Sequence, residues 1–516
     1  MRSLASTMSY LELLKFASPE AVVVISALVV LAIGLMSRPA TVVAGVSASK
    51  PSTIAAGRAV RTNSCLFIAV LGLAAAIGAV LLLPRNASLF SGMLVITPLT
   101  SLFKIICLVL AFFTVCLVQS EKSLPHSGEY LAIILFATVG LMLLVGSEEL
   151  LMIFIGLEML GLSLYVMAAF DKTDMRSAEA GLKYFLFGST SSAFTLFGIS
   201  LIYGMSGSTG LAAISEKLAT ISVQPLLAVG IIMTLVGFAF KIAAAPFHLW
   251  APDAYQGAPV ASAAFIASGS KVASFVVLGK IVLMGFGPLH GSAAWHAMAA
   301  GWSPVLAALA ALSILIGNLV ALAQTNVRRL LAYSAVAHAG YTLLGLVAGS
   351  RDGFSATLFY AAVYAVTLVG AFGVVGLVRS ETGGDDLKNF SGLVGRAPLL
   401  AGCMAVFMLS LAGIPPLAGF FGKFYLFSAA LKAGGNYGLL WLIALALFGS
   451  FVSLYYYLFV LKAIFVDQSS STTSSSLDRP ASYFLQRITV TVLAGAVLLL
   501  GVMPDTLAAR ILAAMP

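Results

Sequence analysis

Charge is scarce in this sequence: 9% of its 516 residues are Asp, Glu, Lys or Arg, against about 25% in a soluble globular domain. With 60% hydrophobic residues and a mean hydropathy of +1.06, that scarcity excludes a water-soluble fold. Cysteine is rarer still, at four residues. Cys65, Cys107, Cys116 and Cys403 lie inside apolar runs without CxxC spacing, so no disulfide framework, zinc site or iron–sulfur cluster is expected, and no electron carrier held by cysteine. No GxxxxGK[ST] is present, which argues against nucleotide hydrolysis. The net charge of +9 sits in short loops between apolar runs, where it reads as positive-inside topology rather than nucleic-acid binding.

What the sequence has instead is long apolar runs. About 14 stretches approach the roughly 20 residues that span a hydrocarbon core as a helix. Backbone polar groups in lipid must be satisfied internally, so these runs predict helices, and the short alternating segments of a barrel are missing. The fold class is therefore an all-α membrane protein. The first apolar stretch, Ala21 to Met36, has no basic run before it and is followed by Arg38, Lys50, Arg58 and Arg61. That flank predicts a retained span whose N-terminus lies outside. The resulting topology places roughly 15 Lys and Arg in cytoplasmic loops and about 7 outside, with both termini on the outer side. The tract SSSTTSSS in the loop at 467–480 reads as a flexible polar linker.

Two spans are punctuated, one by Pro246, Pro252 and Gly257 in KIAAAPFHLWAPDAYQGAP, the other by Gly413, Pro415, Pro416 and Gly419 in LAGIPPLAGFFGKF. Proline removes a helix hydrogen bond and clashes with the preceding turn, so each helix should break. Non-helical backbone at membrane depth is tolerated only inside protein or beside water. The expected organisation is three transmembrane helices over 1–128, a five-helix repeat over 129–286, a second and inverted five-helix repeat over 302–466, then the polar linker and a final helix over 467–516. The broken helix is fourth in each repeat, a pattern many transporters share.

Charges also stand where an apolar span should exclude them: Glu158, Lys183, Lys241, Lys271 and Lys423. Each costs roughly 2.5–3.5 kcal/mol at a span centre, so five would cost on the order of 12–17 kcal/mol if nothing relieved them. Pairing, hydration or neutralisation must intervene, which are the requirements of a proton carrier. Static ion pairing is the competing reading, but one glutamate does not balance four lysines. Lys104 and Lys280, nearer span ends, are expected to snorkel to the interface. His338, mid-span, and His248, beside the first break, are candidate relays or packing histidines.

FKIAAAPFHLWAPDAYQGAP followed by SKVASF, then QTNVRRLLAYSAVAHAGY and GIPPLAGFFGKFYLF, resembles the antiporter-like proton-translocating membrane subunits of respiratory complex I, the NADH-quinone oxidoreductase. PDAYQGAP and GKFYLF look most like the N-type branch, since L- and M-type paralogues and cation/proton antiporters typically have a methionine after PDA. The resemblance implies a fold of about 14 helices with proton half-channels. It implies a Glu158–Lys241 pair, central relay by Lys271, an exit-side residue in Lys423, and a further sixth-span lysine in Lys183. When Glu158 separates from Lys241, the lysine loses its stabilising partner and its proton moves towards Lys271 and Lys423. No redox cofactor is expected in this chain. Flavin, iron–sulfur clusters and quinone belong to partner subunits, namely other complex I membrane subunits and, through them, the NADH-oxidising arm. The implied location is the bacterial inner (plasma) membrane. The alternative is a subunit of a multisubunit sodium/proton antiporter, which shares the fold and the Lys/Glu pair.

Overall fold

A computed structural model of the chain describes residues 10–36, 51–120, 126–220, 224–433, 437–468 and 483–515. Arg38, Lys50 and the SSSTTSSS tract lie outside these residues, as do the side chains of Arg58 and Arg61. The chain is helical almost throughout. The first long helices are α1 (Ser18–Met36), α2 (Pro51–Leu82) and α3 (Pro98–Leu117). A two-stranded antiparallel ribbon, β1 (Ala87–Leu89) with β2 (Leu94–Ile96), occupies the residues just before α3. The third apolar run thus starts helically only at Pro98, where Thr97 and Thr100 form a capping box and proline takes a position whose N–H is unneeded.

Next come α4 (Ser127–Val145), α5 (Leu150–Ala168), α6 (Met175–Ser206), α7 (Pro225–Lys241), α8 (Ala251–Gly257), α9 (Val260–Ala267) and α10 (Gly269–Lys280). The second half contains α11 (Trp302–Ala321), α12 (Val327–Val347), α13 (Arg351–Thr382), α14 (Pro398–Ala412), α15 (Ala418–Ala433) and α16 (Leu440–Phe465). The chain finishes with α17 (Phe484–Val502) and the short α18 (Asp505–Ala514). Twelve described helices are long and apolar enough to cross a membrane, with two shorter apolar helices, α7 and α14. Large side chains such as Phe67, Leu186, Phe451 and Val502 lie exposed around the flank, a surface that lipid covers at no cost and water would not.

Both proline-punctuated spans are broken. α7 stops at Lys241 and helix resumes at Ala251. The loosened backbone finds partners inside the bundle: Ala245 N–H donates to Ser313 Oγ at 2.8 Å, and the Trp250 indole donates to the Phe240 carbonyl at 3.1 Å. α14 stops at Gly413, whose φ of +85° suits glycine, and Gly419 N–H donates to Ser410 Oγ at 3.2 Å as α15 begins. A third interruption had no proline to announce it. α9 and α10 part at Ser268, where a Ser–Gly pair stands and the Ser268 hydroxyl bonds back to the Ala264 carbonyl at 2.6 Å.

The centre is held by the span through α9 and α10 and by α12 and α13. In each, 94% of an apolar 18-residue stretch is buried, against 28% for α1. These enclosed helices carry or face the charges picked out from the sequence.

Candidate functional site

Three of the four lysines named above are sealed from solvent: Lys241 is 5% exposed, Lys271 3% and Lys423 4%. Lys241 ends α7 at the break. It shares a small cavity of about 20 Å³ with Glu158, Tyr165, Ser192 and Thr195, enough for a bridging water. Glu158, on α5, does not touch Lys241. Its carboxylate accepts a hydrogen bond from Ser192 of α6. Gly188 lets α6 close on this spot, since a Cβ there would sit 2.0 Å from the Tyr165 hydroxyl.

Lys271, on α10, has no carboxylate either. Its ammonium donates to the Ala335 carbonyl of α12 at 2.8 Å and lies 5.6 Å from the centre of the Tyr364 ring. Lys423, on α15, donates to the Ala412 carbonyl at 3.0 Å and to Ser450 Oγ at 2.9 Å, with the Tyr341 ring 5.2 Å away. The Ala412 carbonyl is available because α14 ends there. A Cβ on Gly413 would approach Lys423 Nζ to 3.3 Å.

His338 lies within electrostatic reach of both Lys271 and Lys423. Its Nδ1 is hydrogen-bonded to the Tyr360 hydroxyl at 2.6 Å and its Nε2 to the Tyr457 hydroxyl at 2.9 Å. Tyr457 bonds in turn to Ser334. A neutral imidazole so held donates at one nitrogen and accepts at the other. His248 lies in the first break, buried, edge-on to Tyr333 at 6.2 Å. Its Nδ1 has no hydrogen-bond partner among the described residues.

Lys183 is placed differently. Its side chain is 39% exposed and bonded to Glu179 at 2.6 Å and Asp253 at 2.7 Å. It belongs to a network at the end of the bundle remote from the termini. Asp253 also binds Arg329 at 2.6 Å, and Arg328 reaches both Asp385 and the Ala258 carbonyl. Burial pushes the Asp385 carboxyl up, but Arg328, Asn326 and Arg379 outweigh it and hold it below the usual carboxylate range. The balance of one glutamate against four lysines is therefore eased: Lys183 has its own carboxylates.

Snorkelling was the wrong expectation for Lys104 and Lys280. Lys104 is 2% exposed and binds Glu20 of α1 at 2.6 Å. Lys280 is 1% exposed, binds Glu148 at 3.3 Å, and donates to the Val145 carbonyl at 3.0 Å. A cavity of about 560 Å³, lined by Glu148, Lys280 and Arg351 among others, lies beside Lys280.

Three hydroxyls complete the inventory. Tyr184, Tyr255 and Tyr364 are buried with no hydrogen-bond partner for their oxygens among the described residues. An unmet buried hydroxyl costs about 1–3 kcal/mol. No group of three His, Cys, Asp or Glu residues able to hold a metal occurs among the described residues.

The family model described as NADH:quinone oxidoreductase/Mrp antiporter, TM, matches residues 147–453, which include all five charged residues named from the sequence. The NADH-quinone oxidoreductase subunit N 2 of Acidobacterium capsulatum is 46% identical over 516 residues, covering 97% of this chain and 98% of that one. Among solved structures, a chain of respiratory complex I from Thermus thermophilus superposes with a TM-score of 0.75 at 32% identity, over 96% of this chain and 100% of that one. A chain of the Mrp complex from a Dietzia species matches over 97% of both chains with a TM-score of 0.78 at 21% identity, a likeness of fold alone.

Proposed function

From its membership of the NADH:quinone oxidoreductase/Mrp antiporter transmembrane family, to which the chain belongs, we infer that it is a proton-translocating membrane subunit of an NADH-quinone oxidoreductase. Quinone reduction in partner subunits drives the pump, and flavin, iron–sulfur clusters and quinone reside there. The chain itself contributes to the oxidoreductase as a non-redox part. It occupies the bacterial inner membrane with both termini on the outer side.

The observation that carries the reading is the row Lys241, Lys271 and Lys423, buried without carboxylate contact. A buried ammonium with only carbonyls, hydroxyls and ring faces around it is a charge the protein can relinquish. In the first five-helix repeat (129–286), Glu158 swings between Ser192 and Lys241, and its distance sets whether Lys241 keeps its proton. The proton passes to Lys271, then by way of His338 to Lys423 in the second repeat (302–466). Lys183, tied to Asp253, stands at the inlet, and His248 can share the load at the first break.

Lys241→Ala in the assembled complex is expected to abolish proton pumping while NADH oxidation by the peripheral arm persists. A normal proton yield per NADH would sink this scheme. Sodium-dependent proton flux from the isolated chain in liposomes, without NADH:quinone reductase activity in anything that co-purifies, would favour the antiporter reading. The 46% identity with a subunit N over nearly the whole of both chains supports the oxidoreductase.

A further inference from the structure

The lysine row has a gap. Lys241 shares its cavity with Glu158 and Tyr165, whereas Lys271 belongs to the neighbourhood of Ala335, Tyr364 and His338. No hydrogen bond or ion pair joins the two among the described residues. A series of aromatic contacts connects their neighbourhoods.

The Tyr165 ring meets Tyr184 edge-on, with centres 4.8 Å apart. Tyr184 stacks on Trp250 at 4.1 Å, and Trp250 packs at 6.5 Å against Tyr255, which α8 places in the centre of the bundle. Tyr255 rests on α13 through Phe372 at 5.8 Å. On that same helix Tyr364 lies 4.9 Å from His338 and beneath the Lys271 ammonium. Each phenol is within electrostatic reach of the next: Tyr184 of Tyr165 and Tyr255, and Tyr364 of Tyr255. Tyr184, Tyr255 and Tyr364 each have no hydrogen-bond partner for the hydroxyl among the described residues. The tyrosines beyond them, Tyr341, Tyr360, Tyr456 and Tyr457, all have theirs.

A row of unmet hydroxyls is poor packing but a serviceable conductor. A phenol accepts a proton on one lone pair while releasing its own, and buried water bridges polar groups too far apart to touch. We propose that Tyr184, Tyr255 and Tyr364, joined by buried water, form the relay that carries protons from Lys241 to Lys271, with Tyr364 supplied by the second repeat. The Lys241 ammonium gives one proton to the near end and becomes an amine. Each oxygen along the row takes a proton from one side and yields one to the other. The Lys271 amine takes the last and becomes an ammonium. Every tyrosine ends as the neutral phenol it began as, and rotation of the hydroxyls resets the row.

This inference rests on the proton-pumping reading, and its test separates the two. Tyr255→Phe and Tyr364→Phe, singly and together, remove one oxygen each from the assembled complex reconstituted in liposomes. Lys241→Ala serves as control. The double variant is expected to lose at least tenfold in protons moved per NADH, with assembly intact and melting temperature little changed, because neither hydroxyl has a hydrogen-bond partner among the described residues. Pumping at the normal level, with Lys241→Ala dead, would overturn the relay and leave the parent reading standing. Normal pumping by Lys241→Ala would overturn the parent reading. A double variant that fails to assemble would also overturn the relay, since the hydroxyls would then be structural.

Discussion

Two regions of the bundle treat the same side chain in opposite ways. At the end that holds the termini, Lys104 and Lys280 each meet a carboxylate, Glu20 at 2.6 Å and Glu148 at 3.3 Å. Along the central line, Lys241, Lys271 and Lys423 are as deeply buried and meet none. Burial alone therefore does not mark a proton carrier. A lysine locked to a counter-ion is a fixed charge that braces helices, here α1 against α3. A lysine held by carbonyls and ring faces is a charge the protein can gain or lose without leaving an opposite charge stranded.

The largest effect separating the two regions should come from Lys271→Met. It removes a buried ammonium that has no counter-ion, so the complex should assemble with unchanged or higher stability while pumping falls more than tenfold. Retained pumping would erase the distinction. Lys104→Met should do the reverse. It strands Glu20 in the membrane, and removing one partner of a buried pair costs about 3–5 kcal/mol. Yield and melting temperature should drop while each complex that assembles pumps normally. Adding Glu20→Leu should restore most of the loss, since a buried pair replaced by apolar groups is often neutral. A Lys104→Met complex that assembles well yet fails to pump would move Lys104 into the carrier class.

The smallest effect is expected at the opposite end, where Asp385 is paired with Arg328. Its folded carboxyl is held below the usual range, so its contribution is complete above the unfolded value of about 3.9 and fades as pH falls through the folded one. Asp385→Asn should therefore lower the melting temperature at pH 7, and the gap from the parent chain should begin to close only below about pH 4. A gap that closes between pH 6 and 5 would show that another group holds this corner.

The sequence makes one of these regions far more legible than the other. Pro246 and Pro415–Pro416 announce two helix breaks because proline acts on its own backbone, and lysine in mid-span is conspicuous against leucine and valine. Lys104 and Lys280 are not. Near a span end, a lysine that reaches for water and one that is walled in read alike, and Glu20 lies 84 residues from the lysine it binds. The break at Ser268 carries no proline, and the β1–β2 ribbon is too short to leave a pattern. The tyrosine row is hidden more thoroughly, since a tyrosine in an apolar helix looks like any packed aromatic until its oxygen is seen to lack a partner. Glu158 with Lys241 is an intermediate case. Their nearness was foreseeable, but the Ser192 hydroxyl that occupies the carboxylate instead was not.

The two broken helices also bear on how the chain is made. α7 and α14 have 17 and 15 residues, about 25 and 22 Å of helix at 1.5 Å per residue, less than the roughly 30 Å hydrocarbon core. As each leaves the ribosome it is too short to settle in lipid alone, and α7 arrives with Lys241 at its tip. Each must wait beside the translocon until later segments enclose it. A nascent chain halted just after Lys241 should leave α7 extractable by alkali, and one halted after Lys280 should retain it.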